Sequence, residues 1–154
     1  MVKEVSRVSL INDDIKAGIW LELGRRLIES PVRAYKSAIE CFDRILKENP
    51  TDWLAYYYKG IALYHLGQTD DCVSQFKSSS ELMTPEEMNT YRIGKFMTVL
   101  TYLERIHKDN PSNISNIKLN IKILQVLGRI HELLGEYEEG RLCYAELKKV
   151  RAGE

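Results

Sequence analysis

Residues 20–27 read WLELGRRL, and the glycine at their centre, Gly24, is the first of four that decide the fold. Gly60 stands in YYYKGIALY, Gly94 in YRIGKF and Gly128 in LQVLGRIHEL, so the successive separations are 36, 34 and 34 residues. Each lies in a run whose apolar residues recur at helical spacing, where glycine costs about 1 kcal/mol against alanine. A glycine kept at that cost needs a packing reason, and the natural one is a neighbouring helix so close that a side chain would hold it away. Such an approach, repeated at a near-constant interval, predicts a tandem array rather than a generic bundle.

Outward from the glycines, strand-like alternation is nearly absent and the chain reads as all-α. Ser30-Pro31 looks like an N-cap with proline in the first turn, and Thr84-Pro85-Glu86-Glu87 has the spacing of a capping box. Gly67 and Gly135 follow apolar residues as left-handed helix terminators do, while Asn49-Pro50 and Asn110-Pro111 stop the helices before them. Seven helices are expected, near residues 13–29, 32–48, 52–66, 70–83, 85–108, 115–134 and 137–150.

The 154 residues carry 22 Lys plus Arg and 22 Asp plus Glu, hence no formal net charge, with 44% apolar and 29% charged residues. That balance describes one ordinary globular domain with no global attraction to nucleic acid or anionic membrane. Cys41, Cys72 and Cys143 are odd in number and widely spaced, which suits reduced thiols rather than a disulfide framework or a zinc site. Met1-Val2-Lys3-Glu4-Val5 lacks a signal peptide's apolar core, and no stretch approaches the roughly 18 apolar residues of a membrane span. A cytoplasmic address is expected.

Around the glycines the sequence resembles the tetratricopeptide repeat. Trp20-x-x-Leu23-Gly24-x-x-Leu27 is followed by Ala38, Phe42 and Pro50 in the family's order, with two extra residues in the turn near Ser30-Pro31. Tyr56, Gly60, Leu63, Cys72 and Phe76 form a second copy, with Lys59 where leucine is usual. Leu124, Leu127-Gly128, Gly140, Tyr144 and Leu147 form the last, and Leu134-Gly135-Glu136-Tyr137 resembles the family's inter-helix turn. A third copy is degenerate: Ile93-Gly94 fits, but the second-helix positions fall on Ile106, Asn110 and Asn113. The expected organisation is an N-terminal segment or cap over 1–16 and a repeat domain over 17–154, with copies near 17–50, 53–84, 85–113 and 121–154.

The resemblance implies a right-handed superhelix of antiparallel helix pairs, a TPR-like α-solenoid in which stacked pairs share one continuous core. Ala38, Cys72 and Gly140 would let paired helices approach, and Phe42, Phe76 and Tyr144 would fill the space between successive pairs. The first helix of each pair would line the concave surface. Its inward set is Leu21 and Arg25, then Leu54, Tyr57, Ile61 and His65, then Met88, Tyr91, Arg92 and Lys95, then Lys122, Gln125 and Arg129. An apolar, tyrosine-rich middle and a basic far end would suit a protein or peptide partner with bulky apolar and acidic residues. The partner-binding candidates are Leu21, Arg25, Tyr57, Ile61, His65, Tyr91, Arg92, Lys95, Lys122 and Arg129. A second reading puts Tyr57, Ile61 and Met88 in the core and leaves the basic residues as a solvated face. One branch of the family clamps C-terminal carboxylates, but of the places it uses, which here hold Leu21, Arg25, Tyr58, Met88 and Arg92, only Arg92 agrees in type.

Other chemistry finds little support. His65 with Cys72, and His131 with Cys143, fall short of the four ligands of a zinc site. Asp70-Asp71 and Glu138-Glu139 open helices, where negative charge favours the dipole. Tyr56-Tyr57-Tyr58 cannot form one stacking platform, because consecutive helix residues point about 100° apart. No catalysis, cofactor, metal, nucleic acid or membrane is expected. The function read here is a non-catalytic adaptor or scaffold. Its alternative is a structural subunit that self-assembles through its terminal helices, using Leu142, Cys143, Tyr144, Leu147 and Val150 at one end and Val5, Val8, Leu10 and Ile11 at the other.

Overall fold

The computed structural model describes residues 2–109 and 117–153, with side chains of the first helix described from Ile15 onward. The helices are α1 (Val2–Glu29), α2 (Tyr35–Glu48), α3 (Trp53–His65), α4 (Thr69–Glu81), α5 (Thr90–Asp109), α6 (Ile117–Leu133) and α7 (Tyr137–Ala152), with a 3-10 turn at Pro85–Glu87. The described residues are thus all-helical, and consecutive helices pair as in a tetratricopeptide-like solenoid. The expected stop at Asn110-Pro111 and the second-helix positions Asn110 and Asn113 lie outside the described residues, as do the side chains of Val5, Val8, Leu10 and Ile11.

Local chemistry explains the boundaries. Asp52 caps α3 by accepting a hydrogen bond from the Ala55 amide at 3.1 Å. Gly67 and Gly135 adopt φ of 77° and 79°. The Gln68 and Glu136 amides then reach back to the Leu63 and His131 carbonyls at 3.0 and 2.7 Å, closing α3 and α6 with the same motif. Three expected starts move. α1 begins at Val2 rather than near residue 13. Ser30 opens no helix: its Oγ accepts from the Val32 amide at 3.2 Å, Arg33 turns left-handed at φ 51°, and α2 starts only at Tyr35. Thr84 does bond Glu87 at 2.8 Å, but the pair closes only the 3-10 turn. Met88 is extended, and Asn89 caps α5 by accepting from the Arg92 amide at 2.9 Å.

Packing within the pairs follows the glycines. A β-carbon on Gly24 would stand 2.5 Å from the Phe42 ring, one on Gly60 2.5 Å from Phe76, and one on Gly128 2.7 Å from Tyr144. The three aromatic rings therefore lie over the backbone of their own partner helix. Phe42 and Phe76 also reach onward, to Tyr58 at 5.9 Å and Tyr102 at 6.1 Å between ring centroids. Gly140 answers Gly128 from the other helix, its added β-carbon falling 3.3 Å from the Gly128 carbonyl oxygen. Gly94 breaks the series: it is exposed and a β-carbon there would meet nothing within 4 Å.

The stacking order departs from the chain order at the same place. α4 packs on α6 much as α2 packs on α3, while α5 touches α4 only lightly and rests against α6. Polar links brace the stack: Lys59 pairs with Asp43 at 2.6 Å, Ser79 donates to the Trp53 carbonyl at 2.9 Å, and Lys122 pairs with Asp70 at 2.6 Å. No helix among the described residues is long and apolar enough to cross a membrane.

Candidate functional site

α5 lies along α3 rather than beyond it. Trp53 meets Tyr91 at 6.4 Å and Tyr64 meets Tyr102 at 4.6 Å between centroids, and Lys95 donates to the Tyr58 hydroxyl at 3.1 Å. These pairs are 38, 38 and 37 residues apart, so the two helices run parallel in one constant register. Of the inner-surface positions that the repeat resemblance assigns to α3, α5 reaches Tyr57 through Lys95 and His65 through Tyr102. Tyr57 and Ile61 are accordingly core residues, 3% and 8% exposed, and offer almost no surface to a partner. Burial, the main cause, pushes the Tyr57 hydroxyl up to about 12.

Lys95 is the centre of the cluster. Its ammonium stands 5.4, 5.2 and 5.2 Å from the ring centroids of Tyr57, Tyr58 and Tyr91, within cation–π range of all three. No carboxylate among the described residues forms an ion pair with it. Arg92 lies over Trp53 at 5.6 Å and pairs with Glu87 at 3.5 Å, and Tyr91 is 55% exposed. On the α1 side, Arg25 holds Glu22 at 2.9 Å, and its hydrogen bond keeps that carboxyl below the ordinary carboxylate range. Leu21 is partly buried against the core beside them.

The remaining expected residues go elsewhere. His65 stacks on Tyr35 at 5.0 Å and meets Tyr102 edge-on at 6.1 Å, and burial, aided by the Arg33 charge, lowers its pKa. Lys122 is tied to Asp70 and to the Ser74 hydroxyl at 2.9 Å, bracing α6 against α4. Arg129 donates to the Met83 carbonyl and pairs with Glu132 at 3.7 Å, beside a cleft of about 290 Å³ that Lys77 and Tyr144 also line. Both are struts of the α4–α6 joint. The structure thus gathers Tyr57, Tyr91, Arg92 and Lys95, adds Trp53, Tyr58 and Tyr102, and separates Lys122 and Arg129 from them. Counting from each glycine missed the added aromatics, although their recurrence at 37 and 38 residues was a legible sign of α5 lying beside α3.

Cys72 is fully buried with its thiol pushed up to about 12, and among the described residues no three His, Cys, Asp or Glu side chains gather as a metal site requires.

In comparison with known families, the model of the tetratricopeptide repeat fits residues 41–74, from Cys41 in α2 through α3 to Ser74 in α4. No curated protein matches the chain. Repeats of this family generally mediate protein–protein interaction and are typically non-catalytic. Residues 41–74 therefore match the tetratricopeptide repeat, and the same packing of an aromatic ring over a helix glycine recurs in the pairs α1–α2 and α6–α7.

Proposed function

We propose that the chain is a non-catalytic adaptor that holds a segment of a partner protein on the outer side of α5, by Tyr91, Arg92 and Lys95, and on α1 by Arg25. The observation that carries this reading is the Lys95 ammonium, which has aromatic faces and a hydroxyl around it but no ion-pair partner among the described residues. A carboxylate on the partner would form its first ion pair, while the half-exposed Tyr91 ring supplies apolar area at low entropy cost. The pairs that Arg25 and Arg92 already make are surface pairs worth about 0–1 kcal/mol, so exchanging them for a partner's carboxylates costs little. The partner so read carries acidic and bulky apolar residues.

Affinity capture with the tagged chain identifies partners, and Arg92→Glu with Lys95→Glu tests the surface. The double reversal should weaken a captured partner by about tenfold or more, as opposing charges across an interface do. An unchanged affinity rules the surface out.

A second reading, self-association, is favoured by a different observation: Ile15, Ile19 and Leu23 form a row on α1 with 55, 60 and 42% of their surfaces exposed. Ile19→Glu should then lower the molar mass seen by light scattering at high concentration. A wild-type chain that stays monomeric under the same conditions removes this reading.

A further inference from the structure

Tyr137, Arg141, Tyr144, Lys148 and Arg151 follow one another along α7 at intervals of four, three, four and three residues, which places all five on one side of the helix. Tyr137 is 63% exposed, and the three cations are exposed as well. Arg141 pairs with Glu138, whereas Lys148 and Arg151 form no ion pair among the described residues. Tyr144 joins this stripe to the cleft of about 290 Å³, whose other donors are Lys77 and Ser80 of α4 and Gln125 and Arg129 of α6. The carboxylates beside the cleft's cations are not close: Glu81 stands 4.0 Å from Lys77 and Glu132 stands 3.7 Å from Arg129. Among the described residues, none from α1, α3 or α5 lines the cleft, so it belongs to the second helices α4 and α7 and to α6.

The charges select the class of partner. On stripe and cleft together, five cations meet only three paired carboxylates, Glu81, Glu132 and Glu138, although the whole chain is neutral. The surplus attracts carboxylates, while those three acids repel a nucleic-acid backbone, which carries a charge at every step. From Tyr137 to Arg151 the helix rises about 21 Å, the reach of about six extended residues.

We propose that the α7 stripe and the adjoining cleft form a second binding surface, for an extended acidic segment of a partner protein that places one carboxylate side chain in the cleft beside Lys77 and Arg129. Further carboxylates of the segment pair with Lys148 and Arg151, and its apolar residues lie on the Tyr137 and Tyr144 rings. The inference goes beyond the surface reading above and uses none of its residues.

The test titrates the full chain by fluorescence anisotropy into a labelled eight-residue peptide in which glutamate alternates with phenylalanine and serine. The peptide should bind, and its counterpart with glutamine for glutamate should bind about tenfold more weakly or not at all. Lys148→Glu with Arg151→Glu should weaken the acidic peptide by about tenfold, and Lys77→Gln, at the cleft, by about threefold. Should the double reversal lower the helical circular dichroism, Lys148→Gln with Arg151→Gln replaces it, with about threefold weakening expected. No binding of the acidic peptide, equal affinity for the glutamine peptide, or unchanged affinity in the α7 and Lys77 variants overturns the proposal. A deoxythymidine octamer held more tightly than the acidic peptide overturns it in favour of nucleic acid. Arg92→Glu, on the surface of α5, should leave the peptide's affinity within twofold of wild type, and a loss there as large as in the α7 variants would put the peptide on α5 and overturn the proposal as well. The response of a captured partner to Arg92→Glu with Lys95→Glu is a separate measurement, so the two readings fail independently.

Discussion

The ring of Phe76 lies so close over Gly60 that a β-carbon on the glycine would stand 2.5 Å from Cε1 of the phenyl group. The atom in the way belongs to a fully buried ring, with no free end to swing aside. Gly60→Ala should therefore lower stability by about 1–3 kcal/mol, the usual cost of overpacking a filled core. Gly94→Ala, on an exposed helix surface with open space around it, should raise stability by about 0.5–1 kcal/mol. Thermal melts of the two variants should shift in opposite directions. Two shifts of the same sign would mean that the close approach of paired helices is not what these glycines serve.

Asp52 and Ser30 make a second contrast. Asp52→Ala removes an N-cap and should cost about 1 kcal/mol. Ser30→Ala removes only an exposed bond within a turn, and should stay within about 0.5 kcal/mol of wild type. Urea titration separates them, provided that the slope of unfolding free energy on denaturant is common to both. A Ser30→Ala cost as large as that of Asp52→Ala would assign Ser30 a helix cap after all.

Lys95→Met keeps the length of the side chain and discards its charge. Loss of the three cation–π contacts should lower stability by about 0.5–2 kcal/mol, and Lys95→Arg should recover most of it. Trp53, which touches Tyr91, Phe96 and Arg92, reports the seating of α5 through its fluorescence. A methionine variant as stable as wild type, with unchanged Trp53 emission, would show that the cage does not hold the helix.

His65 sets a dependence on acid. Its folded pKa lies below the ordinary 6.5, chiefly because burial disfavours the charged ring. The unfolded chain therefore binds the proton more readily, and the contribution of His65 is present above pH 6.5 and lost as the pH falls toward the lower folded value. His65→Phe keeps a ring on Tyr35 and should flatten the fall in melting temperature below pH 6.5. An NMR titration that places the His65 midpoint above 6.5 would reverse the sign and defeat the prediction. Tyr57 acts at the other end of the scale: raised from 10 to about 12, it contributes stability that is lost as the pH rises above 10.

Periodicity alone determined the helical class and the pairing of α1 with α2, α3 with α4 and α6 with α7, whereas the rings lying over Gly24, Gly60 and Gly128 were legible only in the structure. Class and pairing are local or nearest-neighbour matters, in which a spacing in the chain maps onto a turn of helix and the next helix is the partner. Gly94 looked the same in one dimension and differs in three, because the next helix, α6, pairs with α7 and presses no ring on it. Only the tertiary structure decided that α6 takes the place beside α4 and that α5 turns back along α3. That choice depends on which side of a helix finds the larger apolar face to cover, a competition between surfaces far apart in the chain. The same competition moved Tyr57 and Ile61 into the core, made Lys122 and Arg129 struts, and left Lys95 among three tyrosines with no ion-pair partner among the described residues.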